Sequence, residues 1–89
     1  MPRLDQILKM LEADPQDLFL RYALAMEYRS LGEASSASAQ FRQLIDRSPP
    51  HVPSFFMYGQ LLVEEGDIEQ ARAILREGIE QAQIGRAHV

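Results

Sequence analysis

The stretch Gly32-Glu33-Ala34-Ser35-Ser36-Ala37-Ser38-Ala39-Gln40-Phe41-Arg42-Gln43-Leu44-Ile45 returns 34 residues later as Gly66-Asp67-Ile68-Glu69-Gln70-Ala71-Arg72-Ala73-Ile74-Leu75-Arg76-Glu77-Gly78-Ile79. Glycine falls on glycine, acid on acid, Ala37 on Ala71, Ala39 on Ala73, Arg42 on Arg76 and Ile45 on Ile79, with Leu75 in the place of Phe41. Outward from this core of the match, Tyr22 pairs with Phe56, Leu24 with Tyr58 and Tyr28 with Leu62, and Pro15 stands 34 residues before Pro49. No insertion is needed anywhere. A fixed period of this length is the mark of helix–turn–helix arrays, in which each pair is too small to bury its apolar face alone.

Bulk properties narrow the class. Eighty-nine residues make one small domain. With 46% hydrophobic and 25% charged residues the chain is globular in composition, richer in apolar groups than a disordered segment. A net charge of −4, with Lys9 the only lysine and the arginines dispersed among acids, argues against nucleic acid or an anionic membrane as partner. The absence of cysteine excludes disulfides and thiolate metal sites. Met1-Pro2-Arg3-Leu4-Asp5-Gln6 lacks the apolar run of a secretory signal, and no stretch approaches the roughly twenty apolar residues of a membrane span. A soluble, cytoplasmic protein is expected.

Periodicity and punctuation predict five helices. Leu4, Ile7, Leu8 and Leu11 fall at helical spacing over residues 3–13, and Asp14-Pro15 ends the run. Asp17 is placed to cap a second helix bearing Leu18, Tyr22, Ala25 and Tyr28, which Gly32 stops. The third spans about Ala34 to Arg47. Ser48-Pro49-Pro50-His51-Val52-Pro53 then breaks the chain, because proline lacks an N–H and restricts the residue before it. Pro53 suits the first turn of a fourth helix ended by Gly66. Asp67 with Gln70 reads as a capping box for a fifth, whose stripe is Ala71, Ile74, Leu75, Ile79 and Ala82. Residues 85–89 are expected to fray as a disordered tail.

These residues resemble the tetratricopeptide repeat, whose pattern runs W-x2-L-G-x2-Y, then A-x3-F, then P. In residues 18–51 it reads Leu24-Ala25, Tyr28, Ala37, Phe41 and Pro49; in residues 52–83 it reads Phe55, Tyr58-Gly59, Leu62, Ala71 and Leu75. Residues 3–13 resemble the second helix of a preceding repeat. The resemblance implies one all-α domain over residues 1–84, an α-solenoid of half a repeat plus two whose five helices form a right-handed superhelical stack. Short side chains at Ala25/Ala37 and Gly59/Ala71 let the helices of each pair cross closely, and the large residues fill the space between them. Three positions depart from the pattern. Arg21 takes an aromatic slot, with its stem expected along the surface. Gly78 replaces a small alanine and weakens the last helix, so Gly78→Ala is expected to raise the melting temperature unless Gly78 provides a close contact for a partner or a second copy. Gln83 replaces the closing proline.

Catalytic chemistry finds no support in the sequence. His51 lies in a proline loop and His88 in the tail, away from any Ser/His/Asp order, and Glu64-Glu65-Asp67 reads as a solvated helix end. The isolated glycines match no phosphate loop. A non-enzymatic chain without metal or cofactor is expected.

By the resemblance, the first helix of each repeat lines a concave groove for peptides or partner helices. Phe19, Tyr22, Ala23, Met26, Arg29 and Ser30 would face it from one repeat, and Pro53, Phe56, Met57, Gln60, Val63 and Glu64 from the next. Aromatic and methionine side chains bury large area and adapt in shape, which suits an apolar peptide or amphipathic helix. The family's carboxylate clamp is not implied, because its positions here read Tyr22, Met26 and Met57. The competing reading, that Phe19 and Met57 simply pack against adjacent helices, is the less favoured one. A second expectation is a scaffold role through a weak homodimer, with Leu4, Ile7, Met10 and Leu11 at one uncapped end and Ile74, Ile79 and Ile84 at the other.

Overall fold

The computed structural model, which describes residues 2–87, contains α1 (Arg3–Ala13), α2 (Leu18–Ser30), α3 (Ala34–Asp46), α4 (Val52–Glu64) and α5 (Ile68–Ala87). No strand occurs among the described residues. Most boundaries have a local cause. Asp17 Oδ1 accepts from the Leu20 N–H at 3.0 Å and so caps α2. Helix α2 closes on Gly32, at φ +76°, with the Glu33 N–H donating to the Tyr28 carbonyl at 2.9 Å and the Gly32 N–H to that of Arg29 at 3.1 Å. Thirty-four residues on, Gly66 sits at φ +84°, and Asp67 and Gly66 donate to Leu62 at 2.9 Å and Val63 at 3.0 Å. The repetition thus extends to individual backbone hydrogen bonds. These closures need a left-handed residue, which glycine supplies without a Cβ clash.

The cap of α5 is one-sided. Asp67 Oδ1 accepts from the Gln70 N–H at 3.2 Å. The reciprocal bond of a capping box does not form, because Leu62 already occupies the Asp67 N–H. Turned with its nitrogen toward Asp67, the Gln70 amide donates to Oδ2 at 2.9 Å and accepts from Arg42 Nη2 at 2.8 Å, tying α5 to α3. Helix α5 continues to Ala87, past the expected end near residue 84, and His88 and Val89 of the expected tail lie outside the described residues.

Packing runs between consecutive helices, most extensively within the pairs α2–α3 and α4–α5. The result is a slab of 41 × 34 × 15 Å. Ala25 and Ala37 are fully buried, as the close crossing of α2 and α3 requires. Phe41, also fully buried, stacks on Tyr58 with centroids 6.1 Å apart and meets Tyr22 edge-on at 6.4 Å, joining α2, α3 and α4. A smaller cluster of Ile7, Leu11 and Leu24 fastens α1 to α2. Arg21 is half-buried, and its Nε donates to the Pro15 carbonyl at 2.9 Å.

Gly78 is a close-approach position, which reverses the expectation from helix propensity. A Cβ there would lie 2.5 Å from Phe55 Cβ and 3.2 Å from Phe55 Cγ. Phe55 Cβ is fixed to the backbone of α4 and cannot swing aside. Overpacking of this kind costs about 1–3 kcal/mol, against about 1 kcal/mol gained in helix propensity. Gly78→Ala should therefore lower the urea midpoint of unfolding. A raised midpoint would mean that α4 and α5 separate at little cost.

Candidate functional site

The side chains expected to bind a partner recur every third or fourth residue on α2 and α4, so each helix carries them as one stripe. Arg29 bridges the two stripes. Its Nη2 donates to Glu64 Oε2 at 2.7 Å and to Gln60 Oε1 at 3.4 Å, and its Nε donates to Glu64 Oε1 at 3.2 Å. These bonds raise the guanidinium pKa and hold the Glu64 carboxyl below the usual carboxylate range. Nε and Nη2 of Arg29 are therefore engaged within the chain. Charge-assisted, bidentate pairing of this kind gives the guanidinium a fixed direction.

The apolar members divide by exposure. Tyr22, Met26 and Met57 are half-buried against the larger core, Tyr22 with its ring 5.0 Å from that of His51. Phe56 is half-buried and leans toward α5, its Cζ 3.4 Å from where a Gly78 Cβ would stand. Ala23 packs against the smaller core, whereas Ser30, Pro53 and Gln60 are exposed. Phe19 is 77% exposed, the highest value among the large apolar side chains of the described residues. Val63 parts from this group. It lines a recess with Ile68, Leu75 and Ile79 between the end of α4 and the outer side of α5.

His51 and Ser54 hold a place the sequence reading did not give them. His51 Nδ1 lies 2.7 Å from Ser54 Oγ, and the His51 N–H donates to the Leu44 carbonyl at 2.9 Å. Ser54 is fully buried. The pair has no catalytic geometry, because a nucleophile must be reachable and its base oriented by an acid. The charge that acts on His51 is that of Arg47, of the opposite sign. The available signal was spacing: His51 directly precedes α4 and Ser54 follows three residues on, a helix-start arrangement.

Burial, aided by Arg47, pushes the His51 pKa below its ordinary 6.5. The unfolded chain thus takes up a proton that the folded chain resists. Stability is fully present above the ordinary value and falls as pH drops from there through the folded pKa. His51→Gln should flatten this loss relative to wild type in urea unfolding at neutral and mildly acidic pH. Equal slopes in the two proteins would show that His51 titrates as in the unfolded chain.

Two helix pairs closed by the same glycine turn, with small residues at the crossings, agree with a profile of the tetratricopeptide repeat that matches residues 28–87. The chain belongs to the tetratricopeptide repeat family. No curated protein and no solved structure matches it. The tetratricopeptide match begins at Tyr28, near the end of α2, so α1 lies outside it. Tetratricopeptide repeats generally mediate protein–protein interaction and are typically non-enzymatic. Among the described residues no group of three His, Cys, Asp or Glu is placed to hold a metal ion, and no helix is long and apolar enough to cross a membrane.

Proposed function

We propose that this tetratricopeptide domain is a cytoplasmic, non-enzymatic interaction module that holds an apolar peptide or amphipathic helix against α2 and α4. The observation that carries the reading is Phe19, 77% exposed on the same stripe as Tyr22 and Met26. An exposed ring continuous with half-buried apolar side chains forms a patch of the kind that marks an interaction site. Tyr22, Phe56 and the two methionines supply a firm apolar floor beside it. The Arg29–Glu64 pair, with Gln60, forms a polar edge whose remaining lone pairs and N–H groups orient a backbone. A dispersed cation pattern at net charge −4 disfavours nucleic acid and anionic membranes as partners.

The test is selection of a random peptide library displayed on phage against the full chain. Phe19→Ala removes an exposed ring and so should leave the melting temperature unchanged. It should weaken selected peptides by about 2 kcal/mol, roughly thirtyfold, as loss of an aromatic anchor does. Phe56→Ala should act similarly on affinity. Tyr22→Ala is a poorer probe, since Tyr22 also supports Phe41 and His51. Peptides that ignore Phe19 and Phe56 but lose affinity in Ile79→Glu would place binding on the outer side of α5 and refute this assignment.

A further inference from the structure

We propose that the outer side of α5 is a homodimer interface, in which a second copy of the chain docks its own α5 antiparallel across a two-fold axis. This goes beyond the binding role assigned to α2 and α4 and does not depend on it.

The internal repeat shows what this side of α5 is built to do. On α3, Phe41 and Ile45 are covered by α4, leaving 0% and 9% of their surfaces exposed. Arg42 lies over the Tyr58 ring at 5.7 Å and donates to its hydroxyl at 3.0 Å. The corresponding residues of α5, thirty-four positions on, are Leu75, Ile79 and Arg76. Leu75 rests one side against Gly59 of α4 and is half-buried, whereas Arg76 and Ile79 are exposed. Ile79 is 52% exposed, with Ile68 at 51% and Val63 at 50% beside it around an open recess of about 470 Å³. A surface with a helix-accepting shape is thus left apolar and open, which marks an interaction site.

The charges on this side select the occupant. Arg72, Arg76 and Glu80 follow one another at four-residue steps along one flank of the Ile68, Leu75 and Ile79 stripe. An antiparallel pairing that sets Leu75 over Ile79 of the second copy brings Glu80 of that copy level with Ile74. There it falls between Arg72 and Arg76. The two-fold axis repeats the arrangement, so each carboxylate meets two guanidiniums while the apolar residues close on one another. Such self-complementarity is what an isologous interface requires. The apolar contact supplies the attraction and the charges fix the register. At the opposite end of the slab Ile7 and Leu11 of α1 are buried and Met10 is left 51% exposed; on α5 itself Ile74 is buried, so Ile7, Leu11 and Ile74 of the expected dimer contacts are spent within the monomer.

Sedimentation equilibrium of the full chain from micromolar to millimolar concentration should show a monomer–dimer equilibrium. Ile79→Glu should abolish the dimer while keeping the melting temperature of the dilute protein. Glu80→Arg alone, and Arg72→Glu with Arg76→Glu, should each weaken dimerisation by about tenfold, and all three together should restore it. Phe19→Ala should leave the dimer constant unchanged, which separates this interface from the peptide-binding reading. In hydrogen exchange, amides from Ile74 to Ile84 should gain protection as concentration rises. A monomer at millimolar concentration, or a dimer that survives Ile79→Glu, overturns the proposal. Failure of the triple charge reversal to restore the dimer overturns the antiparallel register. A monomer that captures helical peptides through Ile79 would give this surface to a foreign helix instead.

Discussion

Phe41→Ala should nearly abolish the folded state, at a cost of about 3–5 kcal/mol. Domains of ordinary size are stable by only about 5–15 kcal/mol, and small ones lie near the bottom of that range. The ring of Phe41 is fully buried and touches aromatic neighbours from two other helices, Tyr22 on α2 and Tyr58 on α4. Truncation leaves a cavity that no single side chain can fill, because its walls belong to three helices held by their own crossings. The repeat supplies an internal control. Leu75 stands at the equivalent position of α5, half-buried with one side against Gly59 of α4 and the other lining an open recess, so part of the space its truncation leaves is open to solvent. Leu75→Ala should cost distinctly less. Urea unfolding of the two variants in dilute solution decides the matter, and equal losses would mean that α5 is packed as completely as α3.

Ala25→Leu and Ala71→Leu should each destabilise by about 1–3 kcal/mol, although both substitutions add apolar surface. Ala25 is 0% exposed and Ala71 1% exposed, each within the same continuous core. A leucine there drives apart helices whose contact is the main packing of each repeat. Ala25→Leu should be the worse, since it separates α2 from α3 in the middle of the array, whereas Ala71→Leu can push α5 outward toward solvent. Thermal melts followed by circular dichroism report both. Silence of both substitutions would show that the small residues are not what sets the helix spacing.

The contrast between Arg29 and Arg42 shows how far a one-dimensional reading reaches. Arg42 sits on the second helix of its repeat, where the groove reading gave it no role, yet it lies over Tyr58 and bonds its hydroxyl. Arg29 is expected from the sequence to face the groove, yet its Nε and Nη2 are held by Glu64 and Gln60 of the next helix pair. Both partnerships join residues of different helices, sixteen to thirty-five positions apart. Residue type announces a capacity for pairing; it does not announce which neighbour a helix crossing will bring within reach.

What the chain's sequence determined by itself is the repeat and its punctuation. The 34-residue self-match, the glycine closures at Gly32 and Gly66, the Asp17 cap and the proline break before α4 all follow from local backbone preferences. These depend on a few adjacent residues, and so they are legible in order along the chain. The tertiary structure alone decided the environment of each side chain. It turned Tyr22, Met26 and Met57 partly into core, carried Val63 to the recess on α5, fastened His51 to Ser54 and made Gly78 a tight crossing beneath Phe55. The physical reason is that exposure and contact depend on the distance and angle between helices, and those are set jointly by all the side chains at each crossing.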